Sequence, residues 1–219
     1  MYFKYVLFIF VEFIIMQMET SLYSIGHGHK TVEEFLAELQ AYGIEYLVDV
    51  RSTPFSKWAP QFNQGCIENV LKEHNIKYIY MGDSIGGRPI DESCYDEDGF
   101  FDYQRMATIP QFQEGIQRLI KASERKCKTA VMCSETDPSQ CHRSKLIGRE
   151  LLFEYDIDMQ HIISCEKTLS ETEIIIALTK GSWSPEPNLF EIWEGANRNP
   201  YFKSCHSYKK EIDLDSQYD

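Results

Sequence analysis

Two cysteines, a histidine and an arginine are gathered in residues 129–143, TAVMCSETDPSQCHR. An apolar run ends on Cys133, a polar turn follows, and Cys141, His142 and Arg143 open an amphipathic segment. Backbone amides at a helix start favour an anion, and Arg143 adds a fixed positive charge. A thiol held there ionises more easily than a free one, and the thiolate is the reactive form. The pattern points to cysteine chemistry on an anionic group, with Cys133 or Cys141 as nucleophile or redox thiol. His142 or His27 would handle protons. Arg51, Arg88 and Arg143 would hold the anion, Glu135 would orient one of these arginines, and Asp49 would hold Arg51.

Each of these residues also has a plainer explanation. Cys133 ends a strand and could be a small core residue. His142 could be a solvent contact at a helix start, and Arg143 could pair with Glu135 or Glu150. Asp49 and Arg51 stand two apart on a strand, hence on one face, and could simply brace each other. Three separate arginine ion pairs at the surface would each contribute at most about 1 kcal/mol.

His27 and His29 flank Gly28, so a metal site shared with Cys133 and Cys141 is one alternative. The C-x7-C-H spacing matches no zinc module and the chain has no Cys-x-x-Cys, so no metal is expected. Gly26-x-Gly28-x-x-Thr31 followed by Asp49 has the outline of a dinucleotide fingerprint but lacks its third glycine. Thr31 there is better explained as a helix cap, and no organic cofactor is expected. A nucleotide held through Arg51, Arg88 and Arg143 without cysteine chemistry stays open. So does a non-catalytic interaction module built on the tail 181–219, whose Trp183 and Trp193 are isolated apolar anchors.

The elements that must position these residues alternate. Residues 22–25 form a short apolar run, then Gly-His-Gly-His turns the chain. Thr31 and Glu34 match a capping box, with Val32, Phe35, Leu36 and Leu39 along one helix face and Gly43 as the stop. Residues 45–50 read as a strand covered on both faces. Ile67, Val70, Leu71 and His74 line a second helix that Asn75 can end, and 76–81 is a third strand. A Gly-rich, acidic segment, 82–103, precedes a helix over 110–125. A fourth strand at 129–132, a helix from about 142 to 155 and a strand at 157–163 complete the series. Such alternation predicts a three-layer α/β fold, Rossmann-like, with a mostly parallel sheet flanked by helices. Each polar cluster follows a strand: His27 the first, Asp49 and Arg51 the second, the Gly86-Gly87-Arg88 turn the third, and Cys133 to Arg143 the fourth. In open α/β sheets ligands bind outside the strands' carboxyl ends, so four distant segments can share one pocket.

The whole chain has 219 residues, 43% of them hydrophobic, enough for one α/β domain over 21–180 with extra chain at both ends. A net charge of -12, from 34 acidic and 22 basic side chains, argues against a broad nucleic-acid face or an anionic membrane surface. The expected partner is an anionic small molecule or nucleotide; the oligomeric state is not legible. Seven cysteines without scaffold spacing fit a reducing cytoplasm. Residues 1–20 include a hydrophobic stretch too short to span a bilayer, interrupted by Glu12. It is expected to be an extension ahead of a translation start at Met16 or Met18.

SIGHGHKTVEEFL, YLVDVRSTPFS, PQFN, GGRP and MCSETDPSQCHR occur in this order. Together they resemble the signature of the domain of unknown function 488 family, over about residues 21–163. The resemblance implies a compact α/β domain and no agreed activity. It implies also that His27, Asp49, Arg51, Gly87, Arg88, Cys133, Glu135, Cys141, His142 and Arg143 belong to a shared polar pattern. A strand ending in Asp-Val-Arg and a later Cys followed by Arg are similar in outline to rhodanese-like sulfurtransferases and cysteine phosphatases. Nine residues separate Cys133 from Arg143, too long for the short anion cradle of those folds.

Overall fold

The ten residues of two central strands decide the architecture. Along Leu22–Gly26 and Thr129–Cys133, every residue is buried, so each strand packs on both faces. The computed structural model describes residues 20–181 apart from 97 and 98; the N-terminal extension up to 19 and the tail from 182 lie outside them.

Six strands form one sheet: β1 (Leu22–Gly26), β2 (Tyr46–Asp49), β3 (Lys77–Tyr80), β4 (Thr129–Cys133), β5 (Gln160–Ser164) and β6 (Lys167–Ser170), in the order β3-β2-β4-β1-β5-β6. All neighbours are parallel except β6, which returns antiparallel to β5. One face carries α1 (Val32–Ala41) and α2 (Gln64–Glu73), through Phe35, Leu36, Leu39, Ile67 and Leu71 against Tyr23, Ile25, Leu47 and Met132. The other face carries α3 (Gly82–Ile85), α4 (Tyr103–Thr108), α5 (Pro110–Glu124) and α6 (Arg149–Tyr155). There Ile85, Phe112, Ile116 and Leu151 meet Leu22, Val48 and Val131. Helix α7 (Glu171–Leu178) follows β6. The result is the expected three-layer α/β fold.

Local signals explain the boundaries. Thr31 and Glu34 form the anticipated capping box, and Gly43, at φ 65°, takes the left-handed position just past α1. Asn75 does the same after α2 at φ 60°. Its His74 is exposed, so the buried stripe is Ile67 and Leu71 rather than all four expected positions.

Three details differ from the sequence reading. The helix expected from 142 opens instead as a π-helical turn, Arg143–Gly148, that passes into α6. Strand β5 begins at Gln160 rather than 157, because Asp156 ends α6 in the left-handed region and Ile157 still folds back to bond Leu151. The hairpin strand β6 and α7 were not anticipated: β6 is a short edge strand without periodicity, although Ser170 and Glu173 do form a capping box.

Strands β2, β4 and β1 are adjacent, and their carboxyl ends are level. Gly26 pairs with Cys133 and Asp49 with Met132, and two further amide bonds, His27 to Cys133 O and Val50 to Met132 O, extend the ladder past the strand ends. The chain leaves β1 for one face and β4 for the other, which opens a crevice at that point. The unusual polar residues stand there.

Candidate active site

Cys141 lies at the foot of the π-helical turn, and its backbone carbonyl accepts the amides of Ser144 and Lys145. Its side chain is only 1% exposed, so the polar-loop placement expected from sequence is corrected to a buried one. Folding inserts it beneath the turn, where Arg143 donates from Nε to its Sγ at 3.3 Å. Arg143 is itself fixed, NH1 donating to Ser24 Oγ at 3.1 Å and NH2 to the Glu135 carbonyl at 2.6 Å. Glu135 therefore does orient an arginine, but through its backbone; its side chain is exposed. The ion pair considered between Arg143 and Glu150 does not form, as Glu150 accepts from Gln113 instead.

His142 faces both thiols. Its Nδ1 lies 3.7 Å from Cys141 Sγ and 3.9 Å from Cys133 Sγ. Nε2 meets the Val50 carbonyl at 3.1 Å, a partner that can only accept, so Nε2 carries a proton, and Nδ1 faces the sulfurs. Gly87 lies over the ring: a Cβ there would come within 2.7 Å of His142 Nδ1, which is why this turn carries a glycine. Gly26 is required for a similar reason, since a Cβ would meet the Glu135 carbonyl at 1.9 Å.

The two thiols are driven apart electrostatically. Burial alone would raise Cys141, but the hydrogen bond from Cys133, the Arg143 charge and the Arg143 backbone and side-chain N–H groups outweigh it. They bring the thiol down to about 6. Cys133 is pushed up to about 12 by its hydrogen bond to Cys141, by burial and by the Cys141 charge. Both shifts favour negative charge on Cys141 and the proton on Cys133.

Asp49 and Arg51 form the neighbouring pair. Arg51 donates from Nε to Oδ1 at 2.9 Å and from NH2 to Oδ2 at 2.6 Å, a two-point clamp, and NH2 also reaches the Phe62 carbonyl at 2.7 Å. Tyr78 adds a hydroxyl to Asp49 Oδ2 at 2.8 Å, a partner that sequence reasoning missed because a half-buried strand tyrosine carries no signal. Arg51 NH1 approaches His27 Nε2 at 3.4 Å, and His27 stacks on Phe62 with ring centroids 4.4 Å apart. Burial, aided by the Arg51 charge, pushes His27 down to about 4, so its ring is neutral at pH 7.

The crevice therefore gathers His27, Asp49, Arg51, Gly87, Cys133, Cys141, His142 and Arg143. Arg88 and His29 are exposed, and the Arg88 amide anchors the turn on Ser52 Oγ at 2.9 Å. Ser24, His161 and Glu171 were not anticipated: the first two are single polar residues inside strands, and Glu171 opens α7, itself unanticipated.

Cys133, Cys141 and His142 offer three donor atoms within 4.8 Å of one another, a set that suits a soft cation. The imagined partners His27 and His29 are not among them. With Arg143 only 3.3 Å from one of the sulfurs, the guanidinium charge works against a second cation there.

Among the described residues no helix is long and apolar enough to cross a membrane. No curated protein and no solved structure matches the chain. A family model, the domain of unknown function DUF488, matches residues 31–149, from the α1 cap through the Cys133 to Arg143 segment and into α6. Covering more than half of the chain and most of the crevice just described, that match establishes that this protein belongs to the DUF488 family.

Proposed function

We propose that this protein is a cysteine-dependent enzyme of the cytoplasm, in which Cys141 is the nucleophile or redox thiol for a small anionic, phosphate- or nucleotide-like substrate. The observation that carries this reading is the surroundings of one sulfur. Cys141 Sγ accepts from the Arg143 guanidinium at 3.3 Å and lies 3.7 Å from His142 Nδ1. The guanidinium stabilises a thiolate there, and His142 can carry a proton between the two sulfurs.

Arg143 brings positive charge to the crevice of an otherwise acidic molecule, and Arg51, though paired with Asp49, adds N–H donors, which together favour an anionic reactant. Arg51 NH1 is the least committed of these nitrogens, its 3.4 Å approach to His27 being long for a hydrogen bond. Six free cysteines among the described residues suit a reducing compartment.

Mass-spectrometric labelling with iodoacetamide from about pH 5 to about pH 10 tests the thiol. Cys141 is expected to label with a midpoint near the depressed value, and exposed Cys66 near the ordinary one of about 8.5. Inorganic phosphate should slow Cys141 labelling and raise the melting temperature. If Cys133 and Cys141 label only above the ordinary value, the nucleophile is lost; if phosphate changes neither quantity, the anionic substrate class is lost. A tightly held equivalent of zinc or iron in protein purified without chelator would replace this reading with a metal-dependent one.

A further inference from the structure

Behind the crevice a second polar assembly crosses the interior. Ser24, in mid-β1, is paired in register with His161 of β5, so their side chains leave the sheet on one face. Ser24 Oγ lies 2.6 Å from His161 Nδ1, and His161 Nε2 lies 2.8 Å from Glu171 Oε2 at the start of α7. The other carboxylate oxygen accepts from Ser144 Oγ at 3.0 Å, with Arg149 Nε 3.8 Å away. Ser24, Ser144, Arg149, His161 and Glu171 have no solvent exposure.

These contacts are satisfied when Ser24 Oγ, which accepts from Arg143 NH1 at 3.1 Å, donates to His161 Nδ1 and His161 Nε2–H donates to Glu171. The connected order is Glu171, His161, Ser24, Arg143, Cys141. Although the first three have a hydrolase-like arrangement, Ser24 stands in mid-β1, before the carboxyl end where the crevice lies.

Burying this many polar and ionisable groups is expensive, and well-packed apolar residues commonly serve stability as well or better. A satisfied polar array instead fixes geometry, because each member has one low-energy orientation. The fixed end here is Arg143, whose Nε direction depends on where NH1 is tied.

We propose that Ser24, His161 and Glu171 are positioning residues that hold Arg143 against the Cys141 sulfur and thereby set the reactivity of the thiol. All three lie outside residues 31–149, so the assembly completes the matched region from strands and a helix beyond it. The inference rests on the reading of Cys141 as a thiolate. Other charged or titratable groups acting on the assembly are Asp158, Arg149, Cys133, His142 and His27.

The test is the pH midpoint of Cys141 labelling in full-length Ser24→Ala, His161→Gln and Glu171→Gln, beside each variant's melting temperature. Ser24→Ala should move the midpoint up by about one pH unit, the scale of one charge-assisted hydrogen bond. The other two should move it the same way by less. A purely structural role would lower the melting temperature and leave the midpoint in place, which overturns the proposal. Should a variant not fold, nitrogen-15 NMR of the wild type decides. The His161 Nδ1 resonance is expected to shift with the same midpoint as Cys141 labelling, and a resonance that stays constant across that range refutes the connection. A wild-type midpoint at the ordinary cysteine value sinks the thiolate reading itself, whereas a low wild-type midpoint unchanged in folded variants sinks only the positioning role.

Discussion

Arg143 holds its Nε 3.3 Å from the sulfur of Cys141, two residues earlier in the chain, while its two terminal nitrogens are tied to Ser24 and to the Glu135 carbonyl. The guanidinium cannot turn away without breaking both ties. The charge beside Cys141 is therefore part of the fold, and the proposed thiolate should show in the pH dependence of stability.

Cys141 is held down to about 6, against about 8.5 in an unfolded chain. Between these values the unfolded chain binds more protons, so this thiol's contribution to stability grows as pH rises and is lost as pH falls through the folded value. Cys133, held up to about 12, acts in the opposite sense above about 8.5. Urea denaturation should show stability rising by at most about 3 kcal/mol across the Cys141 window, and Cys141→Ser should flatten the rise. Parallel profiles for the two proteins would mean that Cys141 is not ionised.

Acid should destabilise the protein through its buried histidines. Burial holds His27 down to about 4 and His161 to about 3, so the unfolded chain takes up protons below about 6.5 that the folded one refuses. The stability these rings contribute is complete above about 6.5 and declines as pH falls toward their folded values. His27→Gln should remove up to about 3 kcal/mol of that decline, read from melting temperatures on either side of about pH 5.5. An unaltered acid limb in the variant counts against a neutral His27.

Asp49→Asn should cost about 3–5 kcal/mol, because it leaves the buried Arg51 guanidinium without its carboxylate. Adding Arg51→Met in the same chain should recover part of that loss. Tyr78→Phe, which removes one hydroxyl from the same carboxylate, should cost about 1–3 kcal/mol. Denaturant titrations of the four proteins check the order, which fails if the double variant is no more stable than Asp49→Asn alone.

Gly87→Ala should damage the site more than the fold. The new Cβ meets His142 at Nδ1 and Cγ, at 2.7 and 2.9 Å, so the ring must swing off the Val50 carbonyl or the turn must move. A loss of about 1–3 kcal/mol is expected, with a changed labelling rate at Cys141. Gly65→Ala, in α2 with open space around its Cβ position, is the control that should leave both quantities nearly unchanged.

The fold was largely legible in the chain because its signals are local. Short continuous apolar runs, the Thr31 and Glu34 cap and left-handed stops at Gly43 and Asn75 each act within a few residues. The same reasoning placed His27, Asp49, Arg51, Gly87, Cys133, Cys141, His142 and Arg143 at strand ends, where the crevice forms. It did not reach β6 and α7, whose strand is short and lies at the sheet edge.

What the chain alone left open is what distance in space controls. Sequence could not choose between Cys133 and Cys141, because the choice depends on which sulfur Arg143 reaches and on a hydrogen bond between residues eight apart. Nor could it tell a paired Arg51 from a free one before Tyr78, Phe62 and His27 closed around it. The assembly of Ser24, His161 and Glu171 had no sequence signature at all. Its members stand up to 147 residues apart, and only parallel pairing of β1 with β5 and the return of α7 bring them into contact. Local propensity is encoded residue by residue, whereas proton affinity in a buried site is set by whichever charges the tertiary structure places beside it.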